Sequence, residues 1–424
     1  MRATGDTPPD EGIEPERSFP ARSLDFWFDY TCPFAYLGST QAAAIAARMG
    51  ARLTYRPLLL GGVFKALGTP QNLFASRGPS RTAHEANDMA RWAKRFGVEL
   101  RMPAEHPMRS VEALRATLAT GIDPAVVAGF YRAYWVEGRS ISSREVIADV
   151  VSRAGHDAGL VLSKIDTAEI KDDLRKRTEE AIELGIFGVP TWIVDGKHLY
   201  WGQDRTVFVE GVRPPALASP TLSRAAARRT LDVYWDFSSP FAYLGASQVE
   251  AIAQRTGAHV EWHPLLLGGL FRSIGTPDVP LATFPEAKLR YTLTDLHRWA
   301  AFWRVPFRFP SRFPTNSLKA LRVYLALSNE EQRAGYRDAV FRAYWAEDRD
   351  ITDEHVLAAC VGDEALARDA LARANGDEVK AALRTSTEEA VARGVFGVPT
   401  FIVGDELFWG QDRLPLVEDA LQAP

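Results

Sequence analysis

The sequence predicts an α/β protein that consists of two copies of one domain, each with an inserted α-helical part. One observation is a repeat: DFWFDYTCPFAYLG at residues 25–38 recurs as DVYWDFSSPFAYLG at residues 232–245, an offset of 207 positions. The other is the order of elements within a copy, where a strand–helix–strand start and a hairpin–helix end enclose a long helical stretch. A repeat of this length is far longer than a solenoid unit and indicates two duplicated domains.

Further pairs of motifs define the extent of the two copies. They are RPLLLGGVFKALGTP (56–70) with HPLLLGGLFRSIGTP (263–277), and FGVPTWIVDGKHLYWGQDR (187–205) with FGVPTFIVGDELFWGQDR (396–413). We predict domains at residues 23–212 and 230–424, each of about 190 residues. Residues 213–229, rich in Pro, Ser, Ala and Arg, are predicted to form a linker, and residues 1–22 a disordered tail.

The first elements of the second copy follow from local patterns. LDVYWDF (231–237) alternates apolar and polar residues and contains aromatic and β-branched side chains, which favours a strand. The next helix is predicted to begin at Pro240, with Ser239 near its N-cap, and to end at Gly257. HVEWHPLLL (259–267) is predicted to form the second strand.

A long helical stretch and a hairpin complete each copy. Residues 282–393 have a predominantly helical pattern, predicted to be broken at Pro306, Pro310, Pro314 and Gly335. PTFIVGDELFWG (399–410) is predicted to form a hairpin with its turn at Gly404-Asp405. A β-α-β start and a β-β-α end around helices is the order of a thioredoxin fold. We therefore predict two thioredoxin-like domains, each with an inserted α-helical domain.

Composition and charge exclude several classes of function. The 424 residues carry a net charge of −4 with a pI near 6.1, so charge does not predict binding to nucleic acid or to an anionic membrane. No apolar stretch reaches the roughly 18 residues of a membrane span, and residues 1–22 lack the apolar core of a secretory signal, so we expect a cytoplasmic protein. Cys32 and Cys360 occur in unrelated contexts, which predicts neither a disulfide framework nor a metal site.

Five motifs in a fixed order resemble one known family. They are S-x-P-F-x-Y-L after the first strand, K-x-x-Y-x-x-x-D-x-x-R (Lys288–Arg298), F-P-x-N-S-x-x-A-x-R (Phe313–Arg322), F-G-V-P-T and W-G-Q-D-R. This set resembles 2-hydroxychromene-2-carboxylate isomerase, within the wider group of DsbA-like proteins and kappa-class glutathione transferases. The resemblance implies glutathione as cofactor and a small aromatic substrate. It also implies association, either of the two copies as an internal pseudo-dimer or of two chains as a homodimer.

Ser239 is the first candidate catalytic residue. A hydroxyl at a helix N-terminus lies where backbone N–H groups and the helix dipole favour an anion, and it can donate one hydrogen bond to a thiolate. The alternative is that Ser239 is a plain N-cap. The resemblance implies that this serine holds the sulfur of glutathione.

The Val398-Pro399 bond is the second candidate element. A proline that opens a strand after Gly-Val suits a cis peptide, which turns the main chain of Val398 toward a peptide-like ligand; an ordinary trans proline is the alternative. The resemblance, present in both copies, favours cis bonds before Pro190 and Pro399. It also implies that both Val-Pro pairs, Val189-Pro190 included, bind the cofactor.

Four further residues of the second copy are candidates by resemblance. Gln411 and Asp412 follow the hairpin, where Asp412 could cap the last helix, pair with the ammonium of the γ-glutamyl end of glutathione, or do both. Asn316 could orient substrate or cofactor, or it could be a turn or cap residue. Lys288 could attract a substrate carboxylate, or it could lie on a solvated helix face.

The first copy keeps the cofactor-facing residues and changes the others. Val189, Pro190, Gln203 and Asp204 match the second copy and are predicted to bind the cofactor. The positions aligned with Ser239, Lys288, Tyr291 and Asn316 hold, in that order, Cys32, Arg81, His84 and Arg109. The first copy therefore lacks the substrate-side residues that the resemblance implies.

Cys32 has two interpretations. Ala35 stands where a dithiol oxidoreductase has its second cysteine, so disulfide exchange through a CxxC pair within this domain is not available. Near a helix N-terminus, Cys32 could be a thiol of low pKa that forms a mixed disulfide with glutathione. It could also be a buried, inert cysteine.

We therefore predict a glutathione-dependent isomerase in which the second copy is catalytic, with candidate catalytic residues Ser239, Asn316, Lys288 and Cys32. By resemblance, the thiolate of glutathione adds to an electron-poor carbon of a 2-hydroxychromene carboxylate. Ring opening, bond rotation and elimination of the thiol then follow. The alternatives are a glutathione transferase, a thiol-disulfide oxidoreductase of the DsbA-like family, and a non-catalytic duplicated thioredoxin scaffold.

Overall fold

The computed structural model describes residues 23–71, 78–212, 229–277 and 279–423. The predicted tail and, except for Arg229, the predicted linker lie outside the described residues. The chain divides into two compact units. Within the described residues, the first unit comprises 23–60, 101–178 and 188–212, and the second comprises 61–71, 78–100, 179–187, 229–277 and 279–423.

The first repeat has one four-stranded sheet and a helical insertion. The strands are β1 (Ser23–Phe28), β2 (Arg52–Pro57), β3 (Thr191–Val194) and β4 (His198–Trp201). The helices are α1 (Pro33–Met49), α2 (Leu60–Ala66), α3 (Pro79–Phe96), α4 (Val111–Ala119), α5 (Pro124–Trp135), α6 (Arg144–Arg153), α7 (Ala158–Lys164), α8 (Ala168–Glu183) and α9 (Thr206–Val209). The sheet order is β2-β1-β3-β4, with β1 parallel to β2 and the other pairs antiparallel. Helices α2 to α8 occupy the predicted insertion between β2 and β3.

The second repeat has the same order of elements. The strands are β5 (Thr230–Trp235), β6 (His259–Pro264), β7 (Thr400–Val403) and β8 (Glu406–Trp409). The helices are α10 (Pro240–Thr256), α11 (Leu267–Ser273), α12 (Glu286–Trp303), α13 (Leu318–Ala326), α14 (Glu330–Trp345), α15 (Glu354–Val361), α16 (Glu364–Arg373), α17 (Asp377–Ala392) and α18 (Leu414–Gln422). The sheet order is β6-β5-β7-β8, with the same parallel and antiparallel pairs. The predicted fold class is confirmed in both halves.

The helix that follows the first strand of each repeat has the predicted ends. Pro240 opens α10 at its first turn, Ser239 is the N-cap, and Gly257 ends the helix with a left-handed φ of 73°. A proline fits there because the first helical N–H groups have no partner within the helix. The cis bonds predicted before Pro190 and Pro399 are confirmed. Two further cis bonds, His106-Pro107 and Phe313-Pro314, were not expected from the sequence.

Two boundaries differ from the sequence-based expectation. The predicted break at Gly335 is wrong, because this residue lies inside α14. Burial of Tyr336, Val340 and Phe341 on the same helix outweighs the roughly 1 kcal/mol that a glycine costs in a helix interior. The predicted strand 259–267 ends at Pro264, and α11 begins at the end of the predicted range.

Helix α3 of the first repeat belongs to the second compact unit, where it packs against β8. Its buried residues recur every three or four positions and so lie on one face: His84, Glu85, Asp88, Met89, Trp92 and Ala93. Part of the motif that aligns with Lys288–Arg298 is on this face. Motif residues of the first repeat therefore lie beside the hairpin of the second repeat.

None of the helices in the described part of the chain has both the length and the apolar character of a membrane span.

Candidate functional site

Ser239 lies at the centre of the candidate site in the second repeat. Its side chain is buried, with 4% of the residue exposed. The Oγ atom accepts a hydrogen bond from Ala242 N at 3.2 Å and donates one to the carbonyl oxygen of Val398 at 3.1 Å. Ser239 is thus an N-cap, as one alternative expected, and at the same time contacts the main chain of the cis Val398-Pro399 pair.

Two glycines allow this close approach of the helix to the hairpin. A Cβ atom on Gly245 would lie 3.0 Å from Cγ of Pro399, and one on Gly397 would lie 2.6 Å from Nε1 of Trp409. A side chain at Gly397 would have to displace the Trp409 indole, and one at Gly245 would require Pro399 to move by a few tenths of an ångström. The indole of Trp409 therefore packs directly against the residue that precedes Val398.

A buried aspartate supports the loop that carries Ser239. Asp236 is fully buried and accepts hydrogen bonds from Ser238 N at 2.9 Å and Leu267 N at 2.7 Å. Burial raises the pKa of Asp236 above its usual value, although the hydrogen bonds that it accepts oppose this rise. Asp236 ties the end of β5 to the start of α11 and so fixes the position of the Ser239 N-cap.

Gln411 and Asp412 form a short 3₁₀ turn before α18. Gln411 is buried, whereas the side chain of Asp412 is 17% exposed and its Oδ1 lies 3.1 Å from Nη1 of Arg413. The N-cap of α18 is Arg413, so the helix-cap alternative for Asp412 is wrong. A hydrogen bond of 2.9 Å from Gly410 N to the carbonyl of Pro399 links this turn to the Val-Pro segment.

Residues of α3 lie against the hairpin of the second repeat. The Nδ1 atom of His84 is 3.3 Å from the carbonyl oxygen of Leu407, and its ring is 5.6 Å from that of Phe396. The guanidinium of Arg81 lies 5.2 Å from the ring centre of Trp409. Sequence reasoning assigned no role to Arg81 or His84 here, because the local pattern of α3 does not indicate which sheet it packs on.

His84 is neutral in this environment. Burial, with a further contribution from the cationic Arg413, lowers its pKa to about 3. The pair of Asp88 and Arg413 lies next to it, with Oδ1 of Asp88 accepting a hydrogen bond from Nε of Arg413 at 2.8 Å. Asp88 is 3% and Arg413 13% exposed, so this ion pair is largely removed from water.

The other candidates of the second repeat have local partners. Nζ of Lys288 is 3.9 Å from the ring centre of Phe284, Tyr291 donates a hydrogen bond to Asp295 at 3.2 Å, and Tyr291 packs against the ring of Phe187 at 5.5 Å. Exposed Asn316 accepts a hydrogen bond from Leu318 N at 3.0 Å, which matches its alternative as a turn or cap residue. None of these contacts involves Ser239.

The first repeat has the same main-chain frame around a thiol, where frame means the N-cap contact with the Val-Pro carbonyl and the buried aspartate that accepts main-chain hydrogen bonds. Cys32 is the N-cap of α1, is half-buried, and donates from Sγ to the carbonyl oxygen of Val189 at 3.0 Å. Asp29 is fully buried like Asp236 and accepts hydrogen bonds from Leu60 N at 2.8 Å and Thr31 N at 3.1 Å. Burial raises the pKa of Asp29 above its usual value.

The hairpin exit of the first repeat holds Gln203 and Asp204. Gln203 is 3% exposed, and its Nε2 atom has no hydrogen-bond partner among the residues that the structure describes. Asp204 pairs with Nη1 of Arg205 at 2.9 Å. A buried amide donor without a partner is costly and marks a place where a polar ligand gains a hydrogen bond.

One group of potential metal ligands occurs within the described residues, at the edge of the second sheet. Ligand atoms of Asp232, Glu261 and His263 lie within 4.8 Å of one another. Arg393, however, donates a hydrogen bond to Asp232 at 2.9 Å, and His263 contacts its other oxygen at 2.7 Å. We interpret the group as an ion-pair cluster, because a guanidinium already occupies the carboxylate.

Both repeats have the same sheet order and the same helical insertion, and in each a cis proline lies opposite the N-terminus of the first helix. These features define both repeats as thioredoxin-fold domains. The sequence model of the DSBA-like thioredoxin domain matches residues 23–212 and 230–422. The chain therefore belongs to the DSBA-like thioredoxin family and carries its domain twice.

Two curated relatives and one solved structure resemble single domains of this chain. A 2-hydroxychromene-2-carboxylate isomerase of Sphingobium xenophagum is 31% identical over 46% of this chain and 98% of the relative. A glutathione S-transferase kappa 2 of Caenorhabditis elegans is 25% identical over 46% of this chain and 93% of the relative. A solved 2-hydroxychromene-2-carboxylate isomerase is 30% identical, with a TM-score of 0.41, over 45% of this chain and 94% of its own.

Proposed function

We propose that the second repeat is a glutathione-dependent isomerase of the 2-hydroxychromene-2-carboxylate isomerase type, acting on a small aromatic-derived carboxylate. The observation that carries this proposal is the Ser239 hydroxyl at the N-terminus of α10, within 3.1 Å of the main chain of a cis Val-Pro pair. The relative from Sphingobium xenophagum bears that activity in its name and supports the choice. When bound, glutathione supplies a thiol nucleophile that is returned at the end of the reaction.

The donors and acceptors of the site suit glutathione. Ser239 offers a hydroxyl for a hydrogen bond to a sulfur anion, and the α10 N-terminus adds a favourable dipole. The main chain at Val398 offers a partner for a peptide group. The partly exposed carboxylate of Asp412 offers a partner for an ammonium, and buried Gln411 lies beside it.

Ser239 has to redirect the hydrogen bond that it donates in order to stabilise the sulfur anion. It now donates to the carbonyl oxygen of Val398, and rotation of the hydroxyl about Cβ–Oγ redirects that proton toward a sulfur anion. The bond that it accepts from Ala242 N does not use the hydroxyl proton and is kept. The residue thus stabilises the nucleophile without leaving its N-cap position.

Arg81 is our choice for the group that attracts the substrate carboxylate at this site. It lies over the indole of Trp409, and that indole packs against Gly397 beside Val398. The Arg81 side chain is 40% exposed and is therefore accessible to a ligand. Lys288, for which the sequence left open both this role and a solvated helix face, lies against Phe284 and stays a second candidate.

Ser239→Ala tests this proposal. We expect turnover with glutathione and a 2-hydroxychromene carboxylate to fall by about 10- to 1,000-fold, the loss expected when one hydrogen bond to a stabilised anion is removed. Ser247→Ala is the matched control, since Ser247 is an exposed serine of α10 that donates to Leu244 O at 2.6 Å. Equal turnover of the Ser239 variant and the control would overturn the proposal.

A glutathione transferase activity at the same site is the second candidate, and the name of the Caenorhabditis elegans relative supports it. The two activities differ in product, since a transferase product retains glutathione and an isomerase product does not. Mass spectrometry of the product distinguishes them. Because either reaction needs a reduced thiol, we place the activity in the cytoplasm, where thiols are kept reduced.

A further inference from the structure

Tyr131 of α5 is a buried tyrosine that packs against two residues close in the chain to the N-cap of the first repeat. Its ring centre lies 4.9 Å from that of Tyr30 and 5.8 Å from that of Tyr36, residues that flank Cys32 in the chain. Tyr131 is 1% exposed, and its hydroxyl has no hydrogen-bond partner within the described part of the chain. A buried hydroxyl without a partner destabilises the fold unless another state of the protein supplies one.

The second repeat fills the same place without a hydroxyl. YRAYW at 131–135 aligns with FRAYW at 341–345, so Phe341 corresponds to Tyr131. The ring of Phe341 lies 5.0 Å from that of Phe237 and 5.7 Å from that of Tyr243, the same arrangement of neighbours. A phenyl group is therefore sufficient for packing, and the hydroxyl occurs only in the repeat whose N-cap is a cysteine.

Unlike a serine, a cysteine at this position can lose its proton, and the resulting thiolate then requires a hydrogen-bond donor. The Cys32 thiol donates to Val189 O, and loss of its proton removes that bond and leaves the thiolate facing a carbonyl oxygen. Pro33, the first residue of α1, has no N–H to offer in compensation. An adjacent hydroxyl donor would stabilise the thiolate and lower the pKa of the thiol.

Three other titratable side chains lie close to Cys32 in the chain, namely Asp29, Tyr30 and Tyr36, and they are compatible with such a donor. Asp29 is buried with a raised pKa, which favours its neutral form, and Tyr30 bonds to Thr117 at 2.6 Å. Tyr36 lies on α1. Burial raises the pKa of Tyr131 well above its usual value, and the charges of Tyr30 and Cys32 add to this rise, so Tyr131 remains a protonated donor.

We propose that Tyr131 donates a hydrogen bond to the Cys32 thiolate, and that the first repeat is thereby a single-thiol site that exchanges with small disulfides such as oxidised glutathione. The thiolate attacks one sulfur of the small disulfide, whose S–S bond breaks as a new S–S bond forms to Cys32. The other half leaves as a thiolate and takes a proton from water. Ala35 supplies no second thiol, so the mixed disulfide persists until another thiol reduces it.

This site is separate from the proposed isomerase. It uses neither Ser239 nor any other residue of the second repeat. The partial exposure of Cys32, in contrast to buried Ser239, gives a small disulfide access to the sulfur.

Tyr131→Phe in the full chain tests the proposal, and Phe341 shows that a phenylalanine packs in this environment. We expect one glutathione adduct, on Cys32, after incubation with oxidised glutathione at pH 7, measured by peptide mass spectrometry. The variant should form it about 10-fold more slowly, since a pKa higher by one unit reduces the thiolate fraction tenfold. The pH midpoint of alkylation of Cys32 should rise by the same one unit.

Tyr134→Phe is the matched control. Tyr134 is also a buried tyrosine of α5, but its hydroxyl accepts a hydrogen bond from Met108 N at 2.9 Å. This variant should leave the rate and the midpoint at Cys32 unchanged. Identical midpoints for Tyr131→Phe and the unmodified chain would overturn the role of Tyr131, and an adduct confined to Cys360 would overturn the site. Because the readout is an adduct on Cys32, either result is independent of isomerase turnover.

Discussion

In the second repeat Ser239 faces the carbonyl of Val398 at 3.1 Å, and in the first repeat Cys32 faces the carbonyl of Val189 at 3.0 Å. The supporting hydrogen bonds are equally similar. Trp345 Nε1 donates to Phe237 O at 2.8 Å, and Trp135 Nε1 donates to Tyr30 O at 2.7 Å. The N-cap residue itself differs between the repeats, and so does the ring that packs near it, which is Tyr131 in the first repeat and Phe341 in the second. Duplication thus kept the main-chain frame and allowed the reactive group to change.

The comparison also shows that a repeat in the sequence is not the same as a unit in the structure. Helix α3 is encoded in the first repeat but packs in the second unit, where Arg81, His84 and Asp88 contact the second hairpin and its exit. The side chains that pack on the second hairpin and its exit therefore come from both repeats. Cutting the chain at the predicted linker would separate α3 from its packing partner.

The largest effect is expected at the ion pair between α3 and the second hairpin exit. Asp88→Ala removes one of the two carboxylates that pair with the largely buried Arg413, Asp412 being the other, and we expect this to destabilise the second unit by about 1.5–3 kcal/mol. Thermal unfolding of the full chain measures this loss. Arg95→Ala is the control on the same helix, because its pair with Asp419 is exposed and should contribute less than about 1 kcal/mol. Similar losses in both variants would argue against a specific role for α3.

The two buried aspartates test whether the frame is shared. Asp236→Asn and Asp29→Asn each leave one main-chain N–H without an acceptor, so each should cost about 2 kcal/mol at pH 4. Unequal losses would show that the two frames differ. Thermal unfolding of the full chain at several pH values provides the measurement.

The stability deficit of Asp236→Asn should change with pH in one direction. Burial raises the pKa of Asp236, so the folded chain retains this proton to a higher pH than the unfolded chain, whose carboxyl has its usual value of 3.8. The stability from the protonated form is present below that value and is lost as pH rises through the folded pKa. The deficit of Asp236→Asn relative to the unmodified chain should therefore shrink as pH rises. A deficit that grows with pH would contradict the neutral form of Asp236.

The smallest effect is expected at the side chain that attracts the substrate carboxylate, for which Arg81 and Lys288 are the two candidates. If Arg81 attracts the substrate carboxylate, Arg81→Gln should raise KM by about 10-fold with little change in kcat, as expected for one charge-assisted hydrogen bond. Lys288→Gln is the comparison variant from the aligned position and should change KM less. Steady-state kinetics decide between them, and a larger effect of Lys288→Gln would return the role to the second repeat.

Local patterns in the sequence were sufficient to predict the repeat, the strands, the hairpin turn, and the N-cap positions of Ser239 and Cys32. These features depend on residues close together in the chain, whose propensities and spacing are visible without a structure. The cis bonds at Pro190 and Pro399 needed the resemblance in addition, since an isolated Val-Pro pair favours trans. The break expected at Gly335 failed because burial of one face of α14 outweighed a local preference.

Only the tertiary structure decided where α3 packs and which side chains meet at each N-cap. His84 and Leu407 are 323 positions apart, and Tyr131 lies about a hundred positions after Tyr30, against whose ring it packs, so no local pattern links these pairs. Asn316 and Asp412 also needed the fold, because a motif states a residue type without stating whether it faces a ligand, a helix end or an ion-pair partner. Propensity acts over a few residues, whereas burial joins distant segments, and for this reason the sequence alone determined the frame while the three-dimensional packing determined the surroundings of the two reactive groups.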